Sequence, residues 1–227
     1  MPRSAEQTEE LANAASHGLA CLLVLAAWPV LAAAADSGRP GLNSAGSSVF
    51  LVTMLLMFVV SALYHAAPVG PVKQRLRQWD HAAIFLFIAG SCTGFAVGPG
   101  VQAGQAGQAG LAELDGQAGQ TGLLLAAVWV VALAGMALKL ADRLRQPMLS
   151  TLLYLAFGWL AAGAALPMLV QLSPSALALL VGGGLAYSLG CWFYLLGHRV
   201  RWGHLVWHLL VICGSTCHLL ALLQSGH

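Results

Sequence analysis

Charge is what this sequence has least of. Of its 227 residues 8% are Asp, Glu, Lys or Arg and 59% are hydrophobic, whereas an ordinary soluble domain is roughly 25% charged. A water-soluble fold of this size would expose more apolar surface than water tolerates, so the bilayer is the expected solvent. The net charge of +2 is too small and too scattered for a nucleic-acid surface, and no nucleic-acid partner is expected. Disulfide chemistry is missing too. The five cysteines, Cys21, Cys92, Cys191, Cys213 and Cys217, all lie in apolar stretches and none forms a C-x-x-C pair, so they read as small packing residues. A basic region before the first apolar run is also lacking. Glu6, Glu9 and Glu10 stand where a secretory signal would be positive, so that run is expected to stay as a span although it ends Ala-Ala-Ala-Ala before Asp36.

What the sequence does have is length of apolar run. A helix needs about 20 mostly apolar residues to cross the hydrocarbon. Seven segments approach or reach that length: 14–35, 47–67, 80–97, 121–141, 147–169, 174–196 and 202–224. Continuous Leu/Ala/Val runs without period-two alternation exclude a barrel. The expected fold is therefore an all-α membrane protein, one domain formed by a seven-helix transmembrane bundle. Lysine and arginine fix its orientation. Arg3, Lys73, Arg75, Arg77, Lys139, Arg143, Arg145, Arg199 and Arg201 fall on one side, and Arg39 alone on the other. The positive-inside rule then puts the N-terminus in the cytoplasm and the C-terminus outside. The connection 98–122 is rich in Gly, Gln and Ala, has no Lys or Arg, and reads as a flexible external loop.

Ionisable residues at the edges of spans are costly in lipid and become functional candidates. Here they gather on the cytoplasmic side. His204 and His208 open span seven four residues apart, which puts both imidazoles on one helix face about 6 Å apart along the axis. One helix commonly offers two zinc ligands in this way. Span two ends on the same side with Ser61 and His65, and span three begins there with Asp80. Span one contributes Glu10, Asn13 and His17, whose spacing keeps all three within about 60° on a helix.

Each residue also has a plainer reading. A lone intramembrane histidine is often hydrogen-bonded inside a bundle, and Asp80 suits a helix N-terminus. His81 points about 100° away from Asp80 and is expected to face elsewhere. His198 sits in a basic loop and reads as solvated. His218 shares the His204/His208 face but lies about 15 Å deeper than His208, so it cannot share an ion with that pair and is assigned to a cavity wall. Cys213 and Cys217 project from the opposite face. Span seven has no lysine, which excludes a retinal Schiff base.

Taken together, the motifs resemble those of the hemolysin III family, the bacterial branch of the progestin and adipoQ receptor superfamily. They are E-x-x-N-x-x-x-H (Glu10, Asn13, His17), S-x-x-x-H (Ser61, His65), D-H-A-A-I-F-L-F-I-A-G-S from Asp80, G-x-L-A-Y-x-L-G from Gly183, and H-L-V-W-H from His204. The likeness runs from span one to span seven; the long 98–122 connection departs from it. The resemblance implies a multi-pass protein of the bacterial inner (plasma) membrane, with a zinc ion held by His65, His204 and His208. Asp80 would hold the zinc's water, with Ser61 close by as a second catalytic residue and Glu10, Asn13 and His17 in support. Membrane lipids are the implied partners. Three activities stay open at this stage: a zinc-dependent hydrolase of lipid amides or esters, a non-enzymatic regulator or receptor-like sensor with structural zinc, and membrane lysis by pore formation.

Overall fold

The computed structural model describes residues 5–36, 44–97, 111–169, 172–196 and 199–224, and His198 lies outside them. Among these residues there are helices and no strands. Seven are long: α1 (Ala5–Asp36), α2 (Ser44–Ala66), α3 (Pro71–Val97), α4 (Leu111–Leu140), α5 (Pro147–Ala164), α6 (Pro174–Leu196) and α7 (Gly203–Gln224), with a single extra turn at Leu166–Leu169. Six of the seven are long and apolar enough to cross a membrane. The other is α3, whose first three turns carry Lys73, Arg75, Arg77 and Asp80 ahead of its apolar stretch.

Local chemistry sets the helix ends. Pro71, Pro147 and Pro174 each take the first helical position, where the missing N–H costs nothing. Before Pro174, the Ser173 hydroxyl accepts a hydrogen bond from the Ala176 N–H at 3.2 Å and caps α6. At the end of α4, Asp142 adopts φ 56°. Its N–H donates to Lys139 O and the Arg143 N–H to Leu138 O, a left-handed cap that satisfies the last carbonyls.

Three expected boundaries move. Helix α3 starts at residue 71 instead of 80, because the proline start precedes a charged segment that stays helical outside the hydrocarbon. Helix α4 starts at Leu111, so residues 111–122 are helical and not loop; the good helix formers Leu, Ala, Glu and Gln dominate there. The expected flexible loop is thereby cut to residues 98–110, which lie outside the described residues. The fifth span breaks at Ala165, two residues before Pro167, which has no N–H to continue the helical ladder.

Burial is inverted relative to a water-soluble protein. Leu19, Leu22, Leu23 and Leu25 of α1 and Leu160 of α5 are exposed, whereas Asn13, His17, Ser61, His65, Asp80 and His208 are buried. The apolar side chains face lipid and the polar ones face each other. Lipid supplies no hydrophobic drive between helices, so close packing through small residues holds them. Gly90 is one such point: a methyl group there would collide with Thr53 on α2.

The packing order makes a ring. Helix α1 touches α2 and α7, α2 touches α3, α3 touches α5, α5 touches α6, and α6 closes onto α7. Helix α4 lies outside the ring against α3, where Phe85, Ala89, Val128 and Ala132 share a small separate core. Ion pairs Glu10–Lys73 and Glu9–Arg201 (4.0 Å) tie the start of α1 to the starts of α3 and α7. Tyr154 of α5 donates its hydroxyl to His81 O of α3 at 3.1 Å, bringing the α4–α5 connection to the same end. The basic loops therefore share one end of the bundle, which the positive-inside rule assigns to the cytoplasm.

Candidate metal centre

At that end, α2 and α7 bring three imidazoles together. His65, His204 and His208 each offer a ring nitrogen, and these atoms lie within 4.8 Å of one another. His65 and His208 are buried and His204 is partly so. Helix periodicity puts His204 and His208 one turn apart, and α1, packed against both α2 and α7, brings the end of α2 with His65 to them.

The hydrogen bonds fix the tautomers. His65 Nδ1 lies 3.2 Å from Glu10 Oε1. A carboxylate only accepts, so Nδ1 carries the proton and the lone pair is on Nε2. The Ser16 hydroxyl donates to Asn13 O at 2.8 Å, so its 3.3 Å contact with His208 Nδ1 requires the ring to donate. The lone pair of His208 is therefore on Nε2, which is buried and meets no hydrogen-bond partner among the described residues. His204 Nε2 lies 3.2 Å from His65 Nε2. Two ligands at ordinary Zn–N distances in a tetrahedral arrangement sit about 3.3–3.4 Å apart. Three imidazoles this close, two of them backed by a carboxylate and a hydroxyl on the far ring nitrogens, are the donor set of a divalent metal of the borderline-soft kind.

Support comes from α1. Glu10 also pairs with Lys73, whose ammonium group caps the carbonyls of Tyr64 (3.1 Å) and Ala67 (3.2 Å) at the end of α2. One lysine thus anchors both the α2 C-terminus and the carboxylate that orients His65. His17 lies flat against His208, with ring centroids 3.8 Å apart and planes within 9°. Asn13 is buried beside them, and its backbone oxygen, instead of its side chain, receives Ser16. All three expected α1 residues therefore face the α2/α7 side.

Asp80 is not among the mutually close metal-ligating atoms. Ser61 Oγ lies beside the Asp80 carboxylate without meeting hydrogen-bond geometry, and Asp80 Oδ2 has no partner among the described residues. Asp80 lines a partly open cavity of about 370 Å³ between the helices of the ring. At one end of this cavity are His17, Asp80, His81 and Trp207; at the other are Phe95, Leu169, Tyr187 and His218. The three clustered histidines are directly behind His17 and Trp207, whose rings contact them.

His81 does not face away, as the helical wheel suggested. Its ring is turned toward Tyr194 of α6 and it joins the cavity wall. A 100° step is small enough for both Asp80 and His81 to reach a cavity bounded by helices on both sides of α3. His218 lines the cavity as expected, and Cys213 is exposed. Spacing had not singled out Ser16 and Lys73. Their signals were a hydroxyl beside His17 and a cation placed to meet the carbonyls that end span two.

The family model described as Haemolysin-III related matches residues 5–219. The chain is similar to the hemolysin-3 homolog of Bacillus subtilis (strain 168), 34% identical over 208 residues, covering 92% of this chain and 90% of that protein. It is also similar to hemolysin-3 of Bacillus cereus, 32% identical over 208 residues and covering 92% and 87%. A match over nearly the full length, carried on seven long helices of which six are long and apolar enough to span a membrane, makes this chain a multi-pass membrane protein belonging to the haemolysin III family.

Proposed function

We propose that this chain is a zinc-dependent hydrolase that cleaves an amide or ester of a long-chain lipid taken from the cytoplasmic leaflet. One observation carries the reading. Three imidazoles, two of them with tautomers set by hydrogen bonds, offer ring nitrogens within 4.8 Å of each other, behind one end of an apolar cavity that also holds an unpartnered carboxylate. The zinc would be held by His65, His204 and His208, and when bound it supplies Lewis-acid polarisation and lowers the pKa of nearby water.

The remaining work belongs to the chain itself. Glu10 and Ser16 hold the rings of His65 and His208 in orientation by their hydrogen bonds. Asp80 Oδ2 accepts a proton from the attacking water and returns it to the leaving amine or alcohol. Ser61, beside that carboxylate, positions the same water. The cavity takes the acyl chain and excludes bulk water, and its volume of about 370 Å³ falls within the roughly 300–1,000 Å³ of small-molecule sites. To test the reading, purified protein is incubated with a panel of N-acyl and O-acyl lipids and free fatty acid is measured. Release by the wild type and none by His208→Ala is expected; equal release by both ends the proposal.

A second reading rests on where the ligands come from. They lie on α2 and α7, far apart in sequence, so a metal would also staple the bundle as a structural element of a membrane regulator or sensor. Chelation would then lower thermal stability with no turnover to lose. The relatives' name, hemolysin, adds a lytic reading, for which dye leakage from protein-containing liposomes is the test.

A further inference from the structure

The end of the cavity remote from the three histidines holds a second polar group that the proposed chemistry does not use. His218, on α7, lines the cavity. Its Nε2 lies 3.2 Å from Leu180 O. A carbonyl only accepts, so Nε2 carries the proton, and a neutral ring then has its lone pair on Nδ1. That Nδ1 is buried and meets no partner among the described residues. The ring is held firmly. Its Cδ2–Nε2 edge presses on the backbone of Gly183, where any Cβ would collide with it, and this turns the opposite vertex, Nδ1, away from α6. Phe95 and Tyr187 meet the ring edge-on at 6.0 and 5.2 Å.

Tyr187 points to the same chemistry. The Ser215 hydroxyl donates to Val211 O at 2.8 Å. Its 3.1 Å contact with the Tyr187 hydroxyl therefore has Tyr187 as donor, which leaves only lone pairs on the phenolic oxygen. Both polar groups at this end of the cavity have spent their protons on the protein and offer acceptors alone.

We infer that His218 and Tyr187 form an acceptor-only subsite that selects a long-chain ligand bearing a hydroxyl group well along its chain. The ten-residue step from His208 to His218 places it about 15 Å along α7 from the histidine cluster. A carboxylate, phosphate or ester carbonyl has no proton to give and is rejected there, and a plain alkyl chain leaves Nδ1 unpaired, which is costly in a buried site. The inference rests on reading the cavity as the site of a lipid chain.

Competition binding to the purified zinc-loaded protein tests it, with octadecanoic acid and its monohydroxy positional isomers as probes. The wild type is expected to bind the mid-chain hydroxy isomer about five- to tenfold more tightly than the unsubstituted acid. An isomer hydroxylated next to the carboxyl should show no such gain. His218→Leu should erase the preference and bind the unsubstituted acid at least as tightly as the wild type does, and Tyr187→Phe should diminish the preference. The positional series on the wild type needs no variant, so a folding defect in His218→Leu does not blunt the test. No preference for any isomer, or a preference that persists in well-folded His218→Leu, overturns the subsite and leaves water as the occupant of Nδ1. His204→Ala should lose hydrolysis and keep the preference, so failure of the metal chemistry is distinguishable from failure of the subsite. Absence of saturable binding by either chain overturns both the lipid-chain reading and the subsite.

Discussion

His65 Nδ1 and Glu10 Oε1 stand 3.2 Å apart although 55 residues separate them in the chain. The contact fixes which nitrogen of His65 faces His204, and it does so from a third helix that supplies no ligand itself. Partners of this kind typically contribute 10- to 100-fold in metal affinity. Glu10→Ala is therefore expected to weaken zinc binding by about one to two orders of magnitude with the fold intact, as read by titration against a chromophoric chelator. Unchanged affinity would reduce Glu10 to an ion-pair partner of Lys73.

Asp80 and the histidines should separate cleanly. Asp80→Asn keeps the side-chain shape and lies outside the mutually close ligand atoms. It should retain about one zinc per chain by elemental analysis, and hydrolysis should fall roughly 10²- to 10⁴-fold, the usual contribution of a general base. His204→Ala should lose metal and turnover together. If Asp80→Asn also lost its zinc, the carboxylate would be holding metal instead of moving a proton.

Helix packing gives a prediction independent of chemistry. Gly90 sits where a methyl group would strike the Thr53 side chain, whereas Gly119 has nothing within 4 Å of a would-be Cβ. Gly90→Ala should cost about 1–3 kcal/mol as overpacking, measured by denaturant unfolding in detergent. Gly119→Ala should be neutral or slightly stabilising because it improves helix propensity.

Orientation can be tested without purification. A C-terminal alkaline phosphatase fusion should be active and a green fluorescent protein fusion at the same position dark, since the positive-inside rule puts that end outside the cytoplasm. The reverse pattern would move the metal centre to the other membrane face.

The span count was legible because it depends on composition and length, which lipid enforces directly. Two of the expected spans even begin at the residues, Pro147 and Pro174, where the helices start. Where the outline failed, the failure was local. Residues 111–122 looked like loop because Gly and Gln abound, yet they continue α4, since a helix that is already nucleated extends at little cost. The break at Ala165 was hidden because hydropathy does not register the missing N–H of Pro167. The site was half legible: His204 and His208 share a face by periodicity, and the Lys/Arg census put His65 at the same depth.

Sequence by itself determined that this chain lives in a membrane, how many helices it has, and which histidines lie at the basic end. Those properties follow from hydropathy and from one-dimensional spacing along single helices. Only the tertiary structure decided which ring nitrogens face each other, that Glu10 and Ser16 set their tautomers, and that His81 and His218 look into the same cavity. The reason is rotational. Each helix's position about its own axis is set by packing against neighbours distant in sequence, and a single helix carries no information about that angle.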